Sequence, residues 1–388
     1  MNKRKWILAA GLVMTLGLCA QQPMPEDVPA MVVEQKSEEW YRRQETGWRE
    51  VARREPHNER AWKNLFAASR YGWQKNGAEA DERLQGILEE MERAIPGSYV
   101  YHFCRYRAKM QAEDMEKAYR MMPDSAGMDY DTFLAYFWMT GQKERIREVA
   151  KRYYSQRVMP SALLRYNYNE LQCMPKGALY FGNGDAVLLP KLLLQYGMEE
   201  HQDKMIVCLS FLWMPEYYEQ VCRDLGIPVR KFSESDYKDR SEWQQRYLKD
   251  VVSYIIQAAG RPSYISPVSM LAGLEDLSGN LYSEGLVLRY SEQPYDNYAP
   301  MRKNVEQRLR LDYLLEPAFL PEPEWQSVKA LQVNYLVLLA PLVEKYREWG
   351  DVGRSEWLSA LLKELVNRWG DEIASREEYR QYIRKYLR

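Results

Sequence analysis

The stretch Lys176–Trp213, KGALYFGNGDAVLLPKLLLQYGMEEHQDKMIVCLSFLW, decides the fold. A short apolar run, Ala178–Phe181, breaks at Gly182-Asn183-Gly184-Asp185, an apolar helical pattern follows, and a second apolar run opens at Met205 and continues to Leu212. Strand-like runs of this length separated by a helix-like stretch predict a βαβ crossover, with the glycine turn at the carboxyl end of its first strand.

Downstream the alternation continues. Pro215–Leu225 reads as a helix stopped by Gly226, and Pro228–Phe232 as a short third strand. Ser241 is placed to cap an amphipathic helix bearing Leu248, Val251, Val252, Ile255 and Ala259, ended by Gly260 and Pro262. Tyr264–Val268 and Leu286–Tyr290 read as two further strands. Strand and helix in this order predict a small α/β domain over residues 176–292 with a mostly parallel sheet.

Outside the α/β core the period is helical. Asn58 is placed to cap Glu59–Tyr71, and Asp81 to cap a helix with Leu84, Ile87, Leu88, Met91 and Ile95 on one stripe, ended by Pro96. Glu55-Pro56-His57-Asn58-Glu59-Arg60-Ala61-Trp62 resembles the junction between tetratricopeptide repeats, and Ile95-Pro96 and Met122-Pro123 repeat the punctuation. The expectation for 37–175 is a tetratricopeptide-like helical array. After a linker over 293–324, residues 325–388 read as a helical hairpin, striped by Leu331, Tyr335, Leu338, Leu342 and then Trp357, Leu361, Leu365, and a capping helix announced by the box Ser375-Arg376-Glu377-Glu378. The fold class expected is therefore mixed, with helical-repeat parts flanking a small α/β core.

Residues Ala178–Asp185, Leu192–Gln195, Met205–Trp213, Arg261-Pro262-Ser263-Tyr264-Ile265, and Leu274-Glu275 followed by Glu284-Gly285-Leu286-Val287-Leu288-Arg289 come in a distinctive order. In that order they resemble the extracytoplasmic soluble region of bacterial protein O-mannosyltransferase-like multispanning membrane proteins. The resemblance implies a shared fold for this core. It does not imply glycosyl transfer: the transferase chemistry belongs to a membrane-embedded portion outside these segments, and Ala186-Val187-Leu188-Leu189 stands where the family has polar residues including a second acid.

Charge narrows the partners. Lys and Arg (54) and Asp and Glu (55) nearly cancel across 388 residues, so no global field draws the chain to nucleic acid. Lys3, Arg4 and Lys5 before the apolar run Trp6–Leu18 read as a signal peptide over 1–20, and Leu16-Gly17-Leu18-Cys19 as a lipoprotein box with Cys19 the lipidated residue. Cleavage after Ala20 by an ordinary signal peptidase is the rival. Residues 21–36 then form a tether, and the chain is expected in the cell envelope, lipid-anchored to a membrane facing the periplasm or the cell surface. Cys104, Cys173, Cys208 and Cys222 show no compact disulfide framework and read as buried thiols, with Cys208 and Cys222 the pair to compare.

The turn Asn183-Gly184-Asp185 at a strand's carboxyl end is where open α/β sheets bind ligands, and Arg261 enters a later strand. These four residues are the candidate ligand-binding set. Asp185 and Glu284 are the candidate catalytic acids, since two carboxylates are the minimum for glycoside hydrolysis. The plain alternatives are that Asp185 caps a helix, Asn183 fills a turn and Glu284 pairs or faces water. Three scattered histidines and the lack of Cys-x-x-Cys or His-Glu-x-x-His patterns predict neither metal nor cofactor. Two functions remain: a non-catalytic binding or scaffold lipoprotein that uses helical-repeat surfaces on a protein or glycan partner, or an enzyme or accessory factor acting on envelope glycans or lipid-linked sugars through a cleft at Asp185.

Overall fold

In the computed structural model the described residues are 24–269, 273–315, 325–370 and 377–387. Cys19, the signal segment and Ser375 lie outside them. The chain is mostly helical, with one small mixed sheet of five strands. It divides into two compact units: Ser37–Met110 with the residues up to Val28, and Pro29–Lys36 with Gln111 onward.

The first unit is four helices, α1 (Glu38–Arg54), α2 (Glu59–Gly72), α3 (Ala78–Ala94) and α4 (Tyr99–Lys109). Asn58 caps α2 as its sequence predicts, its side chain accepting from the Ala61 N–H, and Ser98 does the same for α4 through Tyr101. The expected start of α3 shifts: the helix opens after Gly77, whose φ of 52° suits glycine, so Asp81 lies within the first turns rather than at the cap. Trp48, Leu65, Phe66, Ile87 and Met91 form the apolar core. The residues before Val28 are tied down, with Glu26 N–H donating to Gln44, Val28 N–H to Asn64, and Trp48 Nε1 to the Glu26 carbonyl.

The second unit begins with α5 (Ala112–Arg120), α6 (Tyr130–Met139), α7 (Lys143–Ser155) and α8 (Ser161–Cys173). Then come β1 (Leu179–Gly182), α9 (Asp185–Leu192) running on into a π-helical turn Leu193–Gly197, β2 (Met205–Cys208), α10 (Pro215–Leu225) and α11 (Arg240–Ala259). β3 (Ser263–Ile265), β4 (Leu281–Ser283) and β5 (Leu288–Tyr290) finish the sheet, and α12 (Tyr298–Gln307), α13 (Asp312–Leu315), α14 (Gln326–Glu348), α15 (Val352–Arg368) and α16 (Glu377–Tyr386) close the chain. Part of the expected tether belongs here: Gln326 N–H donates to the Val33 carbonyl and Gln35 N–H to the Gln326 side chain.

The sheet order is β2-β1-β3-β5-β4. β1 pairs in parallel with β2 and β3, as the crossover reading requires, but β3–β5 and β4–β5 are antiparallel. The sheet is thus mixed rather than mostly parallel, because β4, which the sequence reading leaves out, makes a hairpin with β5. Pro228–Phe232 joins no strand. Its polar groups are taken instead by tyrosines, Tyr218 OH bonding the Arg230 N–H and C=O and Tyr254 OH donating to the Pro228 carbonyl. The helix ends follow the sequence signals more closely. α10 starts at Pro215 and stops at a left-handed Gly226, α11 stops at a left-handed Gly260, and only the cap of α11 moves, from Ser241 to Asp239.

One row of side chains crosses the sheet, Ile206, Tyr180, Tyr264, Arg289 and Tyr282 in register. Beneath Tyr180 lies a fully buried ion pair between Lys191 of α9 and Glu170 of α8. The Lys191 ammonium also donates to Asn167 Oδ1 at 2.6 Å and the Val187 carbonyl at 2.8 Å, and lies 4.5 Å from the Tyr180 ring centre. Tyr180 OH donates to the other Glu170 oxygen at 3.2 Å. Burial pushes the Glu170 carboxyl up and the Lys191 ammonium down, each opposed by its partner. Pro190 inside α9 has no N–H for the Ala186 carbonyl, and Asn167 Nδ2 supplies the missing donor at 3.0 Å.

Removing one member of such a pair strands the other charge without water. Lys191→Met is expected to destabilise the second unit by about 3–5 kcal/mol, whereas Lys191→Met with Glu170→Leu costs less than Lys191→Met alone. Urea unfolding followed by far-UV circular dichroism measures both, and additive losses would remove the pair from its central role.

Candidate functional site

The turn after β1 is built as its glycines demand. A Cβ on Gly182 would meet the Tyr180 ring at 2.8 Å and Leu188 at 3.1 Å, and Gly184 adopts φ 89° at the N-terminus of α9. The two glycines let the chain turn sharply at the carboxyl edge of the sheet. Asn183 Oδ1 accepts a short hydrogen bond from Ser210 Oγ, which joins this turn to the 3₁₀ turn Ser210–Trp213 after β2. Asp185 is the exposed first residue of α9. Its charge contributes to raising the Tyr153 hydroxyl and the Cys208 thiol, both lifted first by burial, Cys208 to about 11. All four cysteines among the described residues are buried and none is in a disulfide, so Cys208 and Cys222 are not paired with each other.

Glu284 lies in the turn between β4 and β5, on the far side of β3 from β1. It is 3% exposed and both its oxygens are engaged: Tyr264 OH donates to Oε2 at 2.9 Å and Tyr295 OH to Oε1 at 2.6 Å. Arg289 in turn donates to Tyr264 OH at 3.1 Å. Burial, followed by the Glu284 charge, raises the Tyr295 hydroxyl to about 12 and the Tyr264 hydroxyl further. Gly285, at φ 114°, lets the turn pass Cys173 Sγ, which a Cβ would approach at 3.0 Å. The carboxylate is therefore an acceptor inside the hairpin.

Arg261 lies at the opposite edge. It precedes Pro262, whose carbonyl accepts from the Leu179 N–H, so it stands at the amino ends of the parallel strands while Asn183, Gly184 and Asp185 stand at their carboxyl ends. The length of β1, roughly 10 Å of strand rise, separates them. The structure keeps Asn183, Gly184 and Asp185 together and brings neither Glu284 nor Arg261 to them.

Arg261 instead lines a cleft of about 400 Å³ at the amino edge. Its walls come from α6 and α7 (Trp138, Lys143, Arg147), the π-helical turn (Gln195, Tyr196), the loop before β2 (Asp203, Lys204) and α10 (Tyr217, Gln220, Asp224). Of these only Arg261 is among the sequence candidates. The available signal was Gln195, a polar residue inside the apolar run Leu192–Tyr196. No group of histidine, cysteine, aspartate and glutamate able to hold a metal occurs among the described residues.

No family model matches the chain, and no curated protein and no solved structure is significantly similar to it. The two candidate acids separate by their structural cost. In Glu284→Gln the amide's NH₂ faces a tyrosine hydroxyl that now lacks an acceptor, and the expected loss is about 1–3 kcal/mol. Asp185→Ala, at an exposed helix start, is expected to cost no more than about 1 kcal/mol. Chemical denaturation of both variants checks the order, and an unchanged Glu284→Gln would show that the hairpin does not need the carboxylate.

Proposed function

We propose that the chain is an exported protein of the cell envelope, anchored by a lipid on Cys19, and that it works as a non-catalytic binding or scaffold protein. Its tetratricopeptide-like helices present surfaces to a protein or glycan partner. The observation that carries this reading is the engagement of Glu284. The second acid that a glycan-cleaving site at Asp185 requires is spent on Tyr264 and Tyr295. The proline and asparagine punctuation at Pro56–Asn58, which opens α2 with a side-chain cap, supports the repeat character of the first unit. Among the described residues no helix is long and apolar enough to cross a membrane, which is compatible with an anchor confined to the N-terminus.

The second reading is an enzyme or accessory factor for envelope glycans or lipid-linked sugars working at Asp185, related to the O-mannosyltransferase-like proteins through the core. Its support is the exposure of Asp185 at the carboxyl edge of β1, beside the Asn183–Ser210 link.

Expressed in a diderm bacterial host with labelled palmitate, the full chain is expected to take up label and fractionate with membranes, and Cys19→Ala to lose both properties. A mature chain beginning at Gln21 without label overturns the anchor. Crosslinking of intact cells followed by purification that returns no stoichiometric protein or glycan overturns the binding role.

A further inference from the structure

The cleft at the amino ends of β1, β2 and β3 lies at the edge of the sheet away from Asp185, and it has the attributes of a built site. Its volume of about 400 Å³ suits a ligand of one or two sugar rings. The helix that forms one wall changes to π-helical geometry at Leu193–Gly197, a distortion frequent at functional sites. The loop that follows contains two residues in the left-handed region, Glu199 at φ 60° and His201 at φ 56°, a conformation uncommon for non-glycine residues that a local constraint helps to hold. Gln195, 6% exposed, imposes that constraint by donating to the carbonyls of His201 and Lys204, both at 2.8 Å. The distortion thus serves to hold one wall of the cleft in a fixed shape.

The charges of the lining do not cancel. Two acids face the cleft, and each has a lysine: Asp224 holds Lys143 at 3.0 Å and Asp203 holds Lys204 at 3.0 Å. Arg147 and Arg261 remain, exposed and without an ion pair among the described residues. Glu199, the acid whose carboxyl Arg147 influences, is hydrogen-bonded to Lys151 at 2.9 Å. Two guanidinium groups at one cleft, each with its planar fork of donors open, are suited to a carboxylate.

The neutral groups indicate what the carboxylate is attached to. The Tyr196 hydroxyl lies within the influence of Lys143, Asp224 and Arg147 and has no hydrogen-bond partner among the described residues. The Gln220 amide, folded over Gly141, has none either. A hydroxyl and an amide left open beside two guanidinium groups match a ligand rich in hydroxyls. Behind them the buried Trp138, Ile206 and Val221 give a floor for the C–H face of a ring.

We infer that this cleft binds a sugar acid, its carboxylate held by Arg147 and Arg261 and its hydroxyls by Tyr196 and Gln220. The inference goes beyond the scaffold reading and does not rest on export or anchoring.

The experiment uses the full chain without its signal, D-glucuronate, D-galacturonate and N-acetylneuraminate as probes, and D-glucose as the neutral control, read by saturation-transfer NMR and isothermal titration calorimetry. At least one acid is expected to bind, roughly tenfold or more tighter than glucose, and more weakly as salt is raised. Arg147→Gln with Arg261→Gln is expected to weaken that acid by roughly tenfold or more. Because both side chains are exposed, the melting temperature should stay unchanged. Tyr196→Phe alone should give a smaller loss for the same acid. Silence of all three acids, equal binding of glucose, or unaltered affinity in the double arginine variant overturns the assignment.

Discussion

An ammonium group with no access to water, Lys191, is the constraint on which the α/β unit depends. A buried cation is tolerated only when its donors are all used and a counter-charge is at hand, and Lys191 meets both conditions through Glu170, Asn167 and the Val187 carbonyl. Those partners sit on α8 and on α9 itself, while Tyr180 of β1 closes the set from above. An apolar interface tolerates small slips in register, because one methyl group replaces another. This one does not. Sliding α9 along α8 by a single residue leaves an ion unpaired and the Ala186 carbonyl without the donor that Asn167 provides at Pro190.

The same helix carries the rest of the unit. On its other side Asn169 bonds both backbone groups of Arg310 and the Tyr335 hydroxyl, and Asn334 of α14 donates to Tyr166 OH. At its end the Cys173 carbonyl accepts from Asn304, which also holds the Glu284 carbonyl and so pins the β4–β5 turn. A segment that reads as a repeat helix, Tyr166-Asn167-Tyr168-Asn169-Glu170, therefore links α9, the sheet and the C-terminal helices through buried amides and a carboxylate. Amides on α8 suit this task because each can donate and accept at once, so one side chain satisfies backbone groups of two neighbours.

What was legible in the sequence and what was not divides along the range of the interactions. Asn58, Gly226 and Gly260 announce helix ends because a cap acts within a few residues. Leu179–Phe181 and Met205–Cys208 are uninterrupted apolar runs, as buried parallel strands are. β4 is three half-buried residues, Leu281-Tyr282-Ser283, with no run to detect, and it exists only because β5 offers it a ladder. At Pro228–Phe232 the extended pattern is present, but its backbone groups are bonded by the tyrosines of α10 and α11 instead of by a strand. Among site residues, the turn at Asn183-Gly184-Asp185 was legible from its glycines. The role of Glu284 was not, since its partners Tyr264 and Tyr295 approach only in the fold. Arg261 was singled out with the wrong companions, because the cleft it enters gathers side chains from five separate segments.

The two edges of the sheet show why the usual expectation for open α/β sheets needs its premise checked. Ligands collect at the carboxyl ends of parallel strands where successive loops diverge and leave a crevice. Here β2 runs directly into the 3₁₀ turn Ser210–Trp213, which bonds back to Asn183, and β3 into Pro267–Ser269, with Ser266 N–H donating to the Phe181 carbonyl. Both turns stay close to the strand ends, and β5 enters antiparallel beside them, so the loops converge instead of diverging. At the amino edge the geometry is reversed. The π-helical turn widens the end of α9, and the left-handed residues Glu199 and His201 carry the chain around before Lys204 re-enters the sheet, leaving room against α7 and α10. The crevice follows from where loops separate, and in this fold the distortion after α9, not the order of the strands, decides on which edge that happens.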